Sequence, residues 1–304
     1  MTLCWRIVRR VFDPVAYDTG FLYSPPKRRT TARGPEVSLL SEQPAAIAGR
    51  FLSARRSAQG LSAYPGHFPE RLEDAYLIQD AAIADWGKAV IGWKVGRVLP
   101  PLSEKFGTDR LGGPIFFSED VRANGATPAM PVFGEGFAAG EAEFLLRVGA
   151  TPPAGKTRFT LEEAADLIDS VHVGIEIASS PLGAINALGP VAVVSDFGNN
   201  NGLVIGAEVP DWRSSGFEQW EVTTLIDGAV VGTGKAANFP DGAIGSARFL
   251  FELMAARGIV LQPGQWISSG AVTGVHDAKP GQHVEARFGD GYSVRCDLIE
   301  AQPE

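Results

Sequence analysis

Two glutamates lie one residue apart near the start of an apolar run. In the stretch AAGEAEFLLRV, residues 138–148, Glu141 and Glu143 precede a segment that is almost entirely apolar. This segment predicts a buried β-strand, in which alternate side chains project from the same face. The two carboxylates would then lie about 7 Å apart on one face. Because a buried carboxylate is costly without a partner, that face must present a cation or a basic side chain.

A third carboxylate stands in a second apolar strand. In VHVGIEIAS, residues 171–179, the valines and isoleucines form one face and leave His172 and Glu176 on the other. Three carboxylate ligands suit Mg²⁺ or Mn²⁺ and leave coordination positions open for a substrate. Two alternatives stay open at this point. Glutamates one residue apart often form a solvated sheet face, and Glu176 can form an ion pair with an arginine. On this interpretation His172 is a structural histidine.

Helical patterns come first along the chain. Residues 41–60 begin at a serine cap, repeat apolar residues at helical spacing and end at a glycine. Residues 69–87 carry a second apolar stripe that also ends at a glycine. We therefore predict a helical N-terminal portion over residues 39–88 and a β-rich domain over residues 89–304.

From residue 89 onwards, short apolar runs separated by turn signals predict strands. The predicted single strands lie within residues 89–96, 140–148, 171–179 and 265–272, and the predicted hairpins within residues 219–234, about Asp227–Gly228, and 283–298. Two helices interrupt them. Thr160 and Glu163 are spaced as a capping box, and Asp241 is expected to cap a helix that ends at Gly258. Strands that pair locally predict a mixed or antiparallel sheet in an α+β fold, and not a doubly wound one.

Composition and charge narrow the class of protein. The chain has 304 residues, 45% of them hydrophobic and 20% charged, with a net charge of -8, which argues against a nucleic-acid partner. No apolar run is long enough to cross a bilayer, so no membrane association is expected. Only two cysteines occur, far apart, which favours a reducing cytoplasm and no zinc site. The basic, proline-containing residues 1–38 predict a disordered extension. Phosphate-binding glycine loops, a nucleophile elbow and a dinucleotide fingerprint are all absent from the sequence.

Six stretches in order resemble one enzyme family. The sequence is similar to the 2-keto-4-pentenoate hydratases, which are close to the 4-oxalocrotonate decarboxylases of the fumarylacetoacetate hydrolase superfamily. The resemblance spans about 215 residues. It is carried by LEDAYLIQ (72–79), GWKVG (92–96), GEAEFLLRV (140–148), GIEIASS (174–180), VSDFGNNNGLVIG (194–206) and LQPGQWISSGAVTGVHDAKPGQHVEARFGDGYSV (261–294). It implies a β-rich, mixed, sandwich-like roll behind the helical N-terminal portion.

The resemblance also implies roles for individual residues. Glu141, Glu143 and Glu176 match the family's ligands for a divalent metal, Mg²⁺ or Mn²⁺. Lys94 matches the family's lysine, which would orient the substrate carboxylate or carry a proton. Ser195 and Asp196 match a family stretch that would contact the substrate or support the metal ligands, although an ordinary turn explains them equally well. Gly270 and Gly274 would let backbone amides approach the substrate, although a plain strand-to-loop turn explains them too.

The implied activity is hydration of a 2-hydroxy-2,4-dienoic acid to a 4-hydroxy-2-oxo acid in the breakdown of aromatic compounds. The alternatives are a 2-oxo-3-enedioate decarboxylase, an acylpyruvate hydrolase or a catalytically silent subunit. Three residues depart from the family pattern, namely Arg97, Phe197 and Lys235. Arg97 or Lys235 could favour a substrate with a second carboxylate, although each could also be an ordinary exposed charge. The resemblance further implies a homo-oligomer.

Overall fold

The computed structural model describes residues 44–304 except residue 124. The predicted extension over residues 1–38 lies outside the described residues. The helices are α1 Pro44–Ser57, α2 Leu72–Trp86, α3 Leu102–Phe106, α4 Leu161–Asp166, α5 Ile185–Leu188, α6 Pro190–Ser195 and α7 Gly242–Ala256. Single 3₁₀ turns occur at Phe197–Asn199, Phe217–Gln219 and Ala236–Asn238.

The strands within the described residues form two mixed sheets. They are β1 Gly92–Arg97, β2 Arg110–Ile115, β3 Ser118–Asp120, β4 Ala129–Val132, β5 Phe137–Val148, β6 Ile168–Ser180, β7 Asn200–Glu208, β8 Val222–Ile226, β9 Ala229–Gly234, β10 Trp266–Ser268, β11 His283–Phe288 and β12 Tyr292–Glu300. The larger sheet has the order β2-β1-β10-β5-β6-β7-β3, and the smaller one β4-β12-β11-β8-β9. Parallel pairs (β1 with β10, β3 with β7, β4 with β12) accompany antiparallel ones. The predicted α+β, β-rich mixed fold is confirmed.

The two faces of strand β5 have different environments. Phe144 and Leu146 point into the main core, which the larger sheet shares with Val284 and Phe288 of the smaller sheet. Leu145 points the other way and packs with buried residues of β2, β7 and β10. Because β2 also contacts β7, near the opposite end of the strand order, the larger sheet curls into a roll. The Glu141 and Glu143 side chains lie on the Leu145 face, inside this roll.

The N-terminal helices close one end of the roll. Phe51 of α1 packs in one buried cluster with Ala139 of β5 and Ala178 of β6, which face each other across the two strands. Helix α2 contacts strand β2 by hydrogen bonds. The Gln79 amide donates to the carbonyl oxygen of Gly112, and the Gly112 N–H donates to the Tyr76 hydroxyl oxygen. Helix α2 therefore holds β2, the strand beside Lys94, against the rest of the roll.

Local predictions about turns and caps have mixed outcomes. The capping box of α4 is present, and the hairpin between β8 and β9 turns at Asp227 and Gly228, both with positive φ. The predicted side-chain cap of α7 by Asp241 is wrong. Asp241 makes no capping hydrogen bond, and its carboxylate pairs with Arg248. The backbone N–H groups of Ala243 and Ile244, in the first turn of α7, donate instead to the carboxylate of Glu218 in the 3₁₀ turn at Phe217–Gln219.

Among the described helices, none combines the length and the apolar character needed to cross a membrane.

Candidate metal centre

The register of two strands brings three glutamates together. Glu141 of β5 lies directly opposite Glu176 of β6, and Glu143 lies opposite Gly174. Residues paired across strands project from the same face, so all three carboxylates point into the roll. Gly174 has no room for a side chain, because an added Cβ would lie 2.4 Å from a methyl carbon of Leu145. The cluster is therefore a product of strand alternation and register.

The three carboxylates converge at short distances in a dry environment. One oxygen of each glutamate lies within 4.8 Å of the others, and the exposed fractions of Glu141, Glu143 and Glu176 are 3%, 0% and 0%. Such a group of hard oxygen ligands fits a divalent cation of the Mg²⁺ or Mn²⁺ type. The predicted grouping is confirmed, and the solvated sheet face is ruled out.

Hydrogen bonds fix one oxygen of Glu143 and one of Glu176. Oε2 of Glu143 accepts from the Ser268 hydroxyl at 2.5 Å and from the Gly270 N–H at 2.8 Å. Oε1 of Glu176 accepts from the Asn200 amide at 3.0 Å. The other oxygens, Oε1 of Glu143 and Oε2 of Glu176, are buried and accept no hydrogen bond from any described residue. Unpartnered buried oxygens on two adjacent carboxylates are what a bound cation would satisfy.

Lys94 supplies the positive charge beside the cluster. Its ammonium nitrogen lies 3.0 Å from Oε1 of Glu176 and donates to Oδ1 of Asn199 at 3.2 Å. Strand β1 alternates so that Trp93 and Val95 face the main core and Lys94 faces the roll interior. The partner of Glu176 is therefore a lysine, and not the arginine considered from the sequence.

Burial and mutual repulsion shift the acid–base equilibria of the cluster. Burial raises the pKa of Glu141 to about 7, with Lys94 opposing the rise and Glu176 adding to it. Burial, helped by the two neighbouring carboxylates, raises the pKa of Glu143 well above its ordinary value. Burial alone would lower the pKa of Lys94, but the three carboxylates outweigh it and raise that pKa. The pocket therefore does not lower the pKa of Lys94 toward neutrality, because the same pocket holds the acids.

A cavity of about 490 Å³ opens beside the cluster. Lys94, Glu141 and Asn199 contribute polar groups to its wall, and most of the remaining lining is apolar, including Leu111, Val193, Phe239 and Val272. This volume and lining are typical of a small-molecule site with a few convergent polar groups.

Two of the supporting side chains were not predicted from the sequence. Asn199 and Asn200 follow Phe197 and Gly198, and the backbone from Phe197 to Asn199 is left-handed at all three residues. Asn199 contacts Lys94, and Asn200 contacts Glu176. The run of three asparagines at residues 199–201 was a possible signal, because asparagine tolerates left-handed backbone and carries both a donor and an acceptor.

Ser195 and Asp196 belong to a different hydrogen-bond network. The Asp196 carboxylate forms a bidentate, buried pair with Arg55 of α1, at 2.6 and 3.0 Å, and accepts from the Ser180 hydroxyl. Ser195 accepts from Tyr64 and donates to the carbonyl of Val191. Arg55 also donates to the carbonyl oxygen of Asn200. The structure therefore brings Ser195 and Asp196 to the buried Arg55, and connects them to the carboxylate cluster only indirectly.

The remaining predicted residues lie around the cavity. Arg97 is exposed, lines the cavity and lies over the Phe239 ring at 5.5 Å. Gly274 lines the cavity, whereas the N–H of Gly270 is used by Glu143. Lys235 is exposed and is not among the residues that line the cavity.

His172 and Phe197 are buried outside the carboxylate cluster. The ring nitrogens of His172 bond to the carbonyl of Gly206 and to Ser170, as expected of a structural histidine. Phe197 packs against Trp86 and Phe116.

Comparison with solved structures identifies the fold. The chain is similar to 4-oxalocrotonate decarboxylase from Pseudomonas putida G7 complexed with magnesium and adipate, with 21% identity, a TM-score of 0.72 and coverage of 86% of this chain and 99% of that chain. The same enzyme complexed with calcium and acetate matches with a TM-score of 0.71, at the same identity and coverage. No protein-family model and no curated protein matches the sequence. The resemblance read from the six stretches is thus confirmed at the level of the fold.

Replacing one glutamate should abolish cation binding without unfolding the protein. We expect Glu143→Gln to lower Mn²⁺ affinity by at least about 100-fold, because it removes a metal ligand. Loss of a residue that only hydrogen-bonds to a ligand already costs up to about 100-fold in affinity. Glutamine keeps the shape and an oxygen that accepts from Ser268. Titration calorimetry measures the affinity, with the exposed Glu162→Gln as the control. Native affinity in Glu143→Gln would contradict the site.

The raised pKa values predict opposite pH trends for stability and for metal binding. A carboxyl whose folded pKa is about 7 stabilises the metal-free protein at low pH and loses that contribution as the pH rises through about 7. Cation binding requires the carboxylates, so Mg²⁺ affinity should rise over the same range. Urea unfolding between about pH 6 and about pH 8, with chelator or with saturating Mg²⁺, tests both trends. A metal-free stability that rises with pH would contradict the assignment.

Proposed function

We propose that the protein is a divalent-metal-dependent enzyme of the group formed by the 2-keto-4-pentenoate hydratases and 4-oxalocrotonate decarboxylases. The observation that carries this proposal is the pair of buried, unpartnered oxygens of Glu143 and Glu176, in a cluster whose third member, Glu141, lines the same cavity as Lys94. The decarboxylase structures of the same fold support it, since their ligands are a divalent metal and a carboxylic acid.

The residues of the site have separate tasks. Glu141, Glu143 and Glu176 would hold one Mg²⁺ or Mn²⁺, which when bound polarises the oxygens of a 2-oxo acid as a Lewis acid. Lys94, an ammonium with three donors, binds the C1 carboxylate and carries a proton for the carbon skeleton. The mostly apolar cavity wall lowers the local dielectric and so strengthens these charge interactions.

We infer hydration as the reaction. The substrate is a 2-hydroxy-2,4-dienoic acid, which takes up one water to give a 4-hydroxy-2-oxo acid with no leaving group. The order and extent of the six family-like stretches support this choice. The raised pKa of Lys94 keeps it an ammonium, which can hold the substrate carboxylate and is not the base that removes a proton from water.

A specific observation favours decarboxylation of a 2-oxo-3-enedioate as the second candidate. The charges of three carboxylates, a divalent cation and the Lys94 ammonium cancel, so the C1 carboxylate of a substrate already leaves the site negative. A second carboxylate calls for another cation, and Arg97 is the other basic residue among the described residues that line the cavity. Arg97 makes no ion pair with a described residue, and its guanidinium is oriented over Phe239.

A substrate screen separates the candidates. Protein with Mg²⁺ or Mn²⁺ is incubated with 2-hydroxy-2,4-dienoic, 2-oxo-3-enedioic and acylpyruvic acids, and the products are read by mass spectrometry. We expect a gain of one water; a loss of one carbon dioxide would establish the second candidate. Glu143→Gln is the control for metal dependence. Cation binding without turnover of any of these acids would contradict the enzyme and favour a silent subunit.

Arg97 should select for a second carboxylate. In the presence of Mg²⁺, we expect Arg97→Leu to weaken binding of 2-oxoadipate by about tenfold, which is the loss of one charge-assisted contact, and to leave binding of 2-oxohexanoate unchanged. Titration calorimetry measures both ligands, which have the same chain length. Lys235→Leu is the matched control, because that lysine does not line the cavity. Equal effects of Arg97→Leu on both ligands would show that Arg97 does not bind the second carboxylate of 2-oxoadipate.

A further inference from the structure

The head of Lys94 is held by two acceptors and has one donor left. An ammonium group has three N–H bonds. In Lys94 the nitrogen forms an ion pair with Oε1 of Glu176 at 3.0 Å and donates to Oδ1 of Asn199 at 3.2 Å. Because Lys94 lines the cavity, the third donor is available to a ligand there. The hydrogen bond to Asn199 and the ion pair with Glu176 limit the directions left for the other donors, so the position of Asn199 affects how Lys94 meets a ligand.

Asn199 is itself held on two sides. Its Nδ2 donates to Oδ1 of Asn186 at 3.1 Å, and its side chain is almost fully buried, with 4% exposed. Its backbone φ is 57°, in the left-handed region that residues other than glycine rarely adopt but asparagine tolerates. Phe197 of the same turn, a bulky residue with φ of 55°, is the strained position, and such strain persists only where the surrounding structure maintains it.

The same turn packs closely against the aliphatic part of the Lys94 side chain. A Cβ added to Gly198 would lie 2.9 Å from Cδ of Lys94 and 3.0 Å from Cα of Gly113. Gly113, in turn, has no room for a side chain, since its Cβ would lie 2.3 Å from the carbonyl oxygen of Phe197. The turn at Phe197–Asn199 therefore fits between strand β2 and Lys94, with Gly198 against the aliphatic stem and Asn199 against the ammonium.

The metal ligands are supported by other residues. Asn200, and not Asn199, donates to Glu176, and Glu143 is held by Ser268 and Gly270. Among the described residues, Asn199 makes no hydrogen bond to any of the three glutamates. Its effect on a ligand and its effect on the cation are therefore separable by experiment.

We infer that Asn199 is a positioning residue, which directs the free donor of Lys94 at the carboxylate of a ligand in the cavity. The inference rests on the proposed function only in that the ligand is a metal-chelating carboxylic acid. It gives the turn at Phe197–Asn199 a part in ligand recognition, in addition to the parts of the glutamate cluster and of the cavity lining.

A double-mutant cycle tests this inference by binding alone. The probe is oxalate, which resembles the C1–C2 end of a 2-oxo acid, titrated by calorimetry at saturating Mg²⁺. Asn199→Gly removes the amide and permits the left-handed backbone. We expect it to weaken oxalate binding by about tenfold, the loss expected for one hydrogen bond to a charged group, and to change Mg²⁺ affinity by less than about threefold. In a Lys94→Met background we expect its effect on oxalate to fall below about twofold.

Controls distinguish positioning from a change in folding. Asp211→Gly, at an exposed left-handed position outside the cavity, should leave oxalate affinity unchanged. If Asn199→Gly does not fold, Asn186→Ala is measured in the same two backgrounds, with a loss of about threefold expected only where Lys94 is present. A loss of equal size with and without Lys94, or no loss, overturns the inference. Turnover is not needed, so an inactive protein that shows the coupling rejects the proposed function and keeps this inference.

Discussion

Repulsion between three carboxylates in a dry interior is the constraint on which the site depends. Glu141, Glu143 and Glu176 cannot all ionise in a low-dielectric environment unless positive charge or hydrogen-bond donors oppose them. The chain provides Lys94, the Ser268 hydroxyl, the Gly270 N–H and the Asn200 amide for this purpose. These donors reach only one oxygen of Glu143 and one of Glu176, so the remaining charge is directed to a common point between strands β5 and β6.

The scaffold positions the three glutamates and Lys94 in different ways. The glutamates stand on the two longest strands, in the middle of the larger sheet, where backbone pairing on both sides fixes their positions. Lys94 stands on a shorter strand near the edge of the sheet, and a strained turn and helix α2 maintain its surroundings. Rigid strands thus determine the geometry of the acids, while the lysine is positioned by tertiary contacts.

The sequence predicted the elements whose signals are local and missed those that depend on distant contacts. Strand alternation was sufficient to put Glu141 and Glu143 on one face, and the turn about Asp227–Gly228 follows from residues that tolerate positive φ. Strand β2 was missed because RLGGPI contains two glycines and a proline, and one of these glycines, Gly113, allows the close approach of the Phe197 turn. The cap of α7 was wrongly assigned because the real partner, Glu218, is 25 residues away from the amide it accepts from. Arg55 gave no local signal at all, since a basic residue on an amphipathic helix usually faces solvent.

The buried pair of Arg55 and Asp196 links the first helix to the turn that follows α6. Arg55 also donates to carbonyl oxygens at Ser179 and Asn200, so several polar groups of the sheet depend on one guanidinium. Deleting a single partner of a buried ion pair costs about 3–5 kcal/mol, which is a large share of the stability of a domain. Shortened versions of this protein for crystallisation or biotechnology should therefore begin before Pro44, since loss of the part of α1 that holds Arg55 would leave the Asp196 carboxylate buried without its partner.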